Sequence, residues 1–158
     1  MIVQRAEKAY AAAVTALLNR VTKRLLTMNM MQWDYPWDEA AVIAQIDRGE
    51  RYILISGEHV IGTFAMKQIN EPMAFPVAPG SSYLFELAVE PVYQGQKIGQ
   101  KLLEEAKLRT AGTLYLDCWA GNEKLRDYYT EAGWKEAGVY PVNDYEICVF
   151  QTKGGKGD

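Results

Sequence analysis

The run LAVEPVYQGQKIGQKLL, residues 87–103, reads as a buried strand, a tight turn and the opening of a helix. The strand belongs to YLFELAVEP, residues 83–91, the most apolar strand candidate in the chain, and Pro91 stops it. After a glycine-containing turn, Ile98, Leu102, Leu103 and Ala106 fall on one face of a helix that Gly112 closes. A turn feeding a helix aims several unpaired N–H groups at one point, and the helix dipole adds positive potential there. Together they make a seat for phosphate oxygens. Gly95 and Gly99 let the backbone approach a ligand with no Cβ in the way. By themselves these glycines fit a plain strand-to-helix turn equally well.

Outward from this run, TLYLDCW, residues 113–119, reads as a strand. Asn122 caps a helix with Leu125, Tyr128, Tyr129 and Ala132 on a shared face, and Gly133 ends it. YEICVFQ, residues 145–151, is a final strand, and the tail KGGKGD, residues 153–158, has nothing to bury and is expected to fray. Toward the N-terminus, the first element is expected to be a helix. Tyr10, Ala13, Val14, Leu17, Leu18, Val21 and Leu25 recur there at i, i+3, i+4 spacing. MNMMQWDYPW, residues 28–37, is irregular because Pro36 interrupts it; Asp38 then caps a short helix over Glu39–Arg48 that Gly49 ends. RYILIS, residues 51–56, and VIGTFAMKQI, residues 60–69, read as strands joined by the Gly57-Glu58-His59 turn. Residues 70–82 hold three prolines and a glycine and read as a loop. Strands interleaved with helices after residue 80 imply parallel pairing inside a mixed sheet, an α/β (α+β mixed) class.

Composition narrows the function. With 158 residues, the length suits one domain, expected over residues 1–152, and 49% hydrophobic with 23% charged residues is ordinary globular composition. Lys plus Arg total 17 against 20 Asp plus Glu, a net charge of −3, which argues against a nucleic-acid partner. Two cysteines and one histidine cannot assemble the usual zinc sets, so no metal is expected. Arg5, Glu7 and Lys8 punctuate the first apolar run, which argues against a signal peptide, and no apolar stretch is long enough to span a membrane. A cytoplasmic protein is the expectation. No lysine-serine pair of a Walker loop follows the glycines, which weakens a nucleotide-binding reading.

VEPVYQGQKIGQKLL resembles the acetyl-CoA-binding motif of the GNAT acetyltransferases, Q/R-x-x-G-x-G/A, with Gln94 in the first position and Gly99 in the last. Lys97 stands where the middle glycine would be. NEKLRDYYTEAGW, residues 122–134, is similar to the family's later motif, Asn followed by Tyr-x-x-x-Gly-aromatic, which puts the family's tyrosine at Tyr129. The resemblance implies the GNAT fold: a mixed, mostly antiparallel central sheet with a splayed parallel strand pair, flanked by about four helices. It implies acetyl-CoA as cosubstrate, with pantetheine along Leu87, Ala88 and Val89. The pyrophosphate would sit over Gly95, Gln96, Lys97, Ile98, Gly99 and Gln100, with Gln94 and Asn122 also in contact. Unpaired amides on a splayed strand would suit a ligand that carries amide groups.

Tyr129 is the expected general acid, protonating the departing CoA thiolate, and Tyr128 the better core candidate. Glu86 is the candidate base, because a lone carboxylate in YLFELAV is costly unless it faces a polar cleft. A water-facing or salt-bridged Glu86 is the alternative. Cys118 reads as an inert packing group and His59 as a solvated turn residue; Ser56 and His59 lack the context of a catalytic triad. Trp33 and Tyr35 are the acceptor-side candidates, with Trp37 and Phe75 also in the irregular segments and Asp34 and Glu71 as negative charges suited to an amine. The expected activity is acetyl transfer to a small-molecule or peptide amine by direct attack in a ternary complex. A non-catalytic acyl-CoA-binding module is the alternative that Lys97 keeps open, and a homodimer stays open.

Overall fold

A computed structural model describes residues 1–30 and 33–156; Met31 and Gln32 of the irregular segment, with Gly157 and Asp158, lie outside the described residues. Seven strands and four α-helices follow one another as β1 (Ile2–Arg5), α1 (Ala11–Thr27), α2 (Glu39–Asp47), β2 (Arg51–Ser56), β3 (His59–Gln68), β4 (Ser82–Val89), α3 (Ile98–Leu108), β5 (Thr113–Trp119), α4 (Glu123–Glu131), β6 (Lys135–Val142) and β7 (Tyr145–Lys153). Hydrogen bonding orders the strands β1-β2-β3-β4-β5-β7-β6 in a mostly antiparallel sheet, with β4 and β5 its parallel pair. The mixed α/β architecture agrees with the expected fold class.

The described chain forms two compact units, one made of Met1–Met66 with Glu86–Leu103, the other of Lys67–Phe85 with the chain from Glu104 onward. In the first unit the chain opens on β1, which pairs antiparallel with β2, so a strand precedes the helix expected to come first. Of the α1 stripe, Ala13 is exposed, while Val14, Leu17, Leu18 and Val21 are buried and share a core with Val42 and Ile46 of α2, Ile53 of β2 and Ala88 of β4. Each such side chain stabilises the unit by about 1.5–3 kcal/mol through its burial. Asp38 caps α2, its Oδ1 accepting from the Ala40 N–H at 3.0 Å. Trp33 and Trp37 pack edge to face at 5.6 Å against this core. Trp37 is held there because its backbone N–H donates to Asn19 Oδ1 at 2.7 Å and its indole N–H to Thr22 Oγ1 at 2.8 Å. Tyr35 and Asp34 are exposed.

In the second unit β7 pairs antiparallel with β5 on one side and β6 on the other. The start of β4 runs parallel to β5 through Ser82↔Leu114 and Tyr83↔Tyr115. Phe75, for which the sequence leaves a cleft wall and an apolar wall against the sheet equally open, is buried with Tyr115, Ile147 and Val149. In the run read as a frayed tail, Gly154, Gly155 and Lys156 donate backbone hydrogen bonds to Gly112, Lys107 and Thr110. A Cβ at Gly154 would strike the Thr110 carbonyl, so that close approach requires glycine.

Candidate active site

The strand–turn–helix run is built as its residues dictate. After β4, Pro91–Tyr93 form one turn of 3₁₀-helix, and the Gln94 side chain reaches back to donate to the Val89 carbonyl at 3.2 Å. Gly95 has φ 87°, and a Cβ placed on it would meet open space, so conformation and not crowding requires the glycine and its backbone stays accessible. Lys97 has φ 63°, the left-handed conformation that glycine adopts at little steric cost. The departure from the motif is thus one of side chain and not of backbone path. α3 begins one residue later; its first i→i−4 bond runs from Lys101 N–H to the Lys97 carbonyl at 3.2 Å. Helix geometry leaves the first-turn N–H groups of Ile98, Gly99 and Gln100 without an intrahelical acceptor. Glu90, the acid nearest the turn in sequence, is clasped by Arg20 on α1 at 2.6 and 2.9 Å, which offsets its negative charge. An accessible left-handed turn at a helix N-terminus can receive anionic oxygens on its amides. The residues present fit the diphosphate of acetyl-CoA in that respect.

Glu86 is salt-bridged, one of the two readings open to it. Its Oε1 accepts from Arg51 Nη2 at 2.6 Å and from Gln45 Nε2 at 2.8 Å. The Arg51 side chain has no exposed surface, and burial pushes its guanidinium below the ordinary value while Glu86 opposes that shift. Glu86 itself sits in mid-strand with φ 53°.

In the second unit, Asn122 caps α4, its Oδ1 accepting from Leu125 N–H at 3.0 Å. Tyr129 on α4 packs its ring 5.6 Å from that of buried Phe150. Burial pushes its hydroxyl well above the ordinary phenol value, and Cys118, Tyr128 and Asp117 add to the shift. Burial also raises Tyr128. Both tyrosines are only partly exposed, so the division into one core and one cleft residue is less sharp than expected. Asp117 on β5 is a partly buried carboxylate that the sequence reading does not single out. Its Oδ2 accepts from Tyr83 OH at 2.9 Å, and burial raises its carboxyl while that hydrogen bond works against the rise. The signal is present, since TLYLDCW holds a lone carboxylate among apolar residues as YLFELAV does. Cys118 and Cys148 face each other across β5 and β7 as free thiols, pushed up by burial to about 11 and about 12, which suits inert packing groups. His59 is exposed at the start of β3. Among the described residues no group of three or more His, Cys, Asp or Glu could hold a metal, and no helix is long and apolar enough to cross a membrane.

The sequence profile of the acetyltransferase (GNAT) family matches residues 20–134, and the chain belongs to that family, as an N-acetyltransferase. The ribosomal protein bS18-alanine N-acetyltransferase of Escherichia coli K12 is 31% identical over 121 residues, 70% of this chain and 74% of that protein. Among solved structures, the ribosomal-protein-alanine N-acetyltransferase of Brucella melitensis superposes with a TM-score of 0.71 at 19% identity, covering 97% of this chain and 99% of its own. The yncA protein of Salmonella typhimurium, solved with its cofactor acetyl-CoA, gives a TM-score of 0.73 at 16% identity over 96% of this chain and 92% of its own.

Two measurements check the local readings. Lys97→Gly should raise stability by up to about 1 kcal/mol in urea unfolding, because it relieves a left-handed non-glycine residue. A loss of stability would mean that the lysine side chain, and not the turn, holds the loop. Asp117→Asn tests the buried carboxyl. A raised folded value favours the neutral form, so its stability is fully present below the unfolded carboxyl range and is lost as pH rises through the folded value. The permanently neutral Asn should therefore gain on the wild type as pH rises from the unfolded carboxyl value of about 3.9 through the raised folded one. A gap that is constant or shrinks over that range would contradict burial as the cause.

Proposed function

We propose that the protein transfers an acetyl group from acetyl-CoA to a primary amine by direct attack in a ternary complex, and that the amine is the N-terminus of a protein. One observation carries the reading: the Gln94–Gly99 turn keeps the backbone path of the acetyl-CoA motif even though lysine replaces its middle glycine. In this reading the amides of residues 95–100 hold the diphosphate, Gln94 ties the turn to β4, and Leu87 and Val89 offer backbone to the pantetheine amides. When bound, acetyl-CoA supplies an acyl group activated as a thioester. The chain's part is to order the two substrates and to handle two protons.

Tyr129 suits the donor role. Its phenol O–H stands at the position the family motif gives its tyrosine, and the burial that raises the hydroxyl keeps that proton in place while making it a weaker acid. Asp117 suits the acceptor of a proton from the ammonium better than Glu86 does. Burial makes its carboxylate more basic, whereas the Glu86 carboxylate is engaged by a guanidinium and an amide. Asp117 is among the charges that raise Tyr129, so the two feel each other within the second unit. A protein N-terminal amine ionises at about 7.7–8.0 against about 10.4 for lysine, which makes it the acceptor that a carboxylate base serves most easily. The relatives named for acting on a ribosomal protein's alanine agree with that class. Tyr35, exposed, and Trp33, at the edge of the core, remain the acceptor-side residues.

The test is acetyl-CoA-dependent thiol release with three peptides: one with a free N-terminal alanine, its Nα-blocked form, and a blocked peptide that carries lysine. The free N-terminal alanine should react, and neither blocked peptide should. Tyr129→Phe should lower kcat by about 10²-fold or more with acetyl-CoA affinity nearly unchanged, while Tyr128→Phe stays close to wild type. Release with the blocked lysine peptide alone would contradict the acceptor, and a silent Tyr129→Phe would contradict the acid.

A further inference from the structure

We propose that Arg51 is a positioning residue for acetyl-CoA: through Glu86 it fixes the left-handed kink of β4 from which the cofactor strand and loop depart. Arg51 holds Glu86 at two points. Nη2 meets the carboxylate at 2.6 Å, and Nη1 reaches the Glu86 backbone carbonyl at 3.4 Å. Gln45 on α2 closes the clasp, donating to the same carboxylate oxygen at 2.8 Å and accepting from Arg51 Nη2 at 2.5 Å. Thr63 on β3 accepts from Arg51 Nη1 at 3.4 Å and donates to the Tyr52 carbonyl at 2.7 Å. Residues of α2, β2 and β3 thus join in the clasp that holds Glu86 of β4.

That residue is glutamate at φ 53° in mid-strand, a conformation that non-glycine residues hold only when their surroundings over-determine it. A left-handed residue in an otherwise extended strand turns the chain and re-aims the residues beyond it. Beyond Glu86 lie Leu87–Val89, the strand that the proposed function gives to the cofactor, and the inference rests on that reading. A carboxylate so engaged at Oε1 is suited to holding the backbone. Burial of Arg51 makes the clasp specific, since a lysine's point charge cannot contact Gln45, Thr63 and both ends of Glu86 at once.

The test compares Glu86→Gly with Glu86→Ala. Both remove the carboxylate and leave Arg51 equally without it, but only glycine takes up the left-handed conformation freely. Acetyl-CoA KM should rise about tenfold in Glu86→Ala and stay within about threefold of wild type in Glu86→Gly. Both should keep kcat within a few-fold and retain the acidic limb of the pH profile. Arg51→Gln should raise KM as Glu86→Ala does, and adding Glu86→Gly to it should bring KM down again while the melting temperature stays lowered. That split separates positioning from bulk stability; if Arg51→Gln does not fold, the Glu86 pair decides alone. Equal collapse of kcat in Gly and Ala would make the carboxylate a reacting group and overturn the proposal, as would an unchanged KM in Glu86→Ala. Failure of the wild type to show a thermal shift with acetyl-CoA would instead overturn the cofactor reading itself.

Discussion

A guanidinium with no exposed surface, paired at 2.6 Å to a carboxylate in the middle of a strand, is the contact on which the first unit turns. Taking such a pair out of water cancels much of its attraction, so its presence says little about net stability. Removing one partner is another matter, because the buried charge left behind costs about 3–5 kcal/mol. The Arg51–Glu86 pair is therefore hard to lose and well placed to specify geometry. It joins the hydrophobic packing of α1 and α2 on β2 to the backbone path of β4.

The candidate cofactor seat in the first unit is built mostly from backbone. Gly95 and Lys97 adopt positive φ, and with the first turn of α3 they present main-chain N–H groups, which suit a ligand whose anionic part is the same whatever acceptor it serves. Side-chain chemistry is concentrated in the second unit, where burial shifts both Asp117 and Tyr129 upward. The same desolvation makes the Asp117 carboxylate a better base and holds the proton on the Tyr129 phenol.

Local signals are legible where local physics decides. The α1 stripe, the Asp38 and Asn122 caps, and strands β2, β3, β5 and β7 follow from periodicity and capping. β1 escapes the pattern because four residues, half of them polar, make no period. β6 escapes it because Gly138 and Pro141 interrupt KEAGVYPV, which pairs only with β7 at the end of the sheet. Phe75 looks like loop because prolines surround it, yet its ring finds a sheet face made by Tyr115, Ile147 and Val149, all far along the chain. In the site, the turn is legible from its glycines and Gln94. A salt bridge at Glu86 is open from the sequence, but its partner is not legible, since Arg51 lies 35 residues distant. Asp117 is open to the same lone-carboxylate argument as Glu86, but it stands beside Cys118, which draws the eye first.

The central claim is that the backbone from Leu87 to Gln100 seats acetyl-CoA. Amide hydrogen exchange of the whole chain, with and without saturating acetyl-CoA, tests it directly. The expected result is strong slowing at Leu87, Val89 and residues 95–100, with the amides of β1 and β2 little changed. Slowing elsewhere, with residues 87–100 exchanging at the same rate in both states, would contradict it.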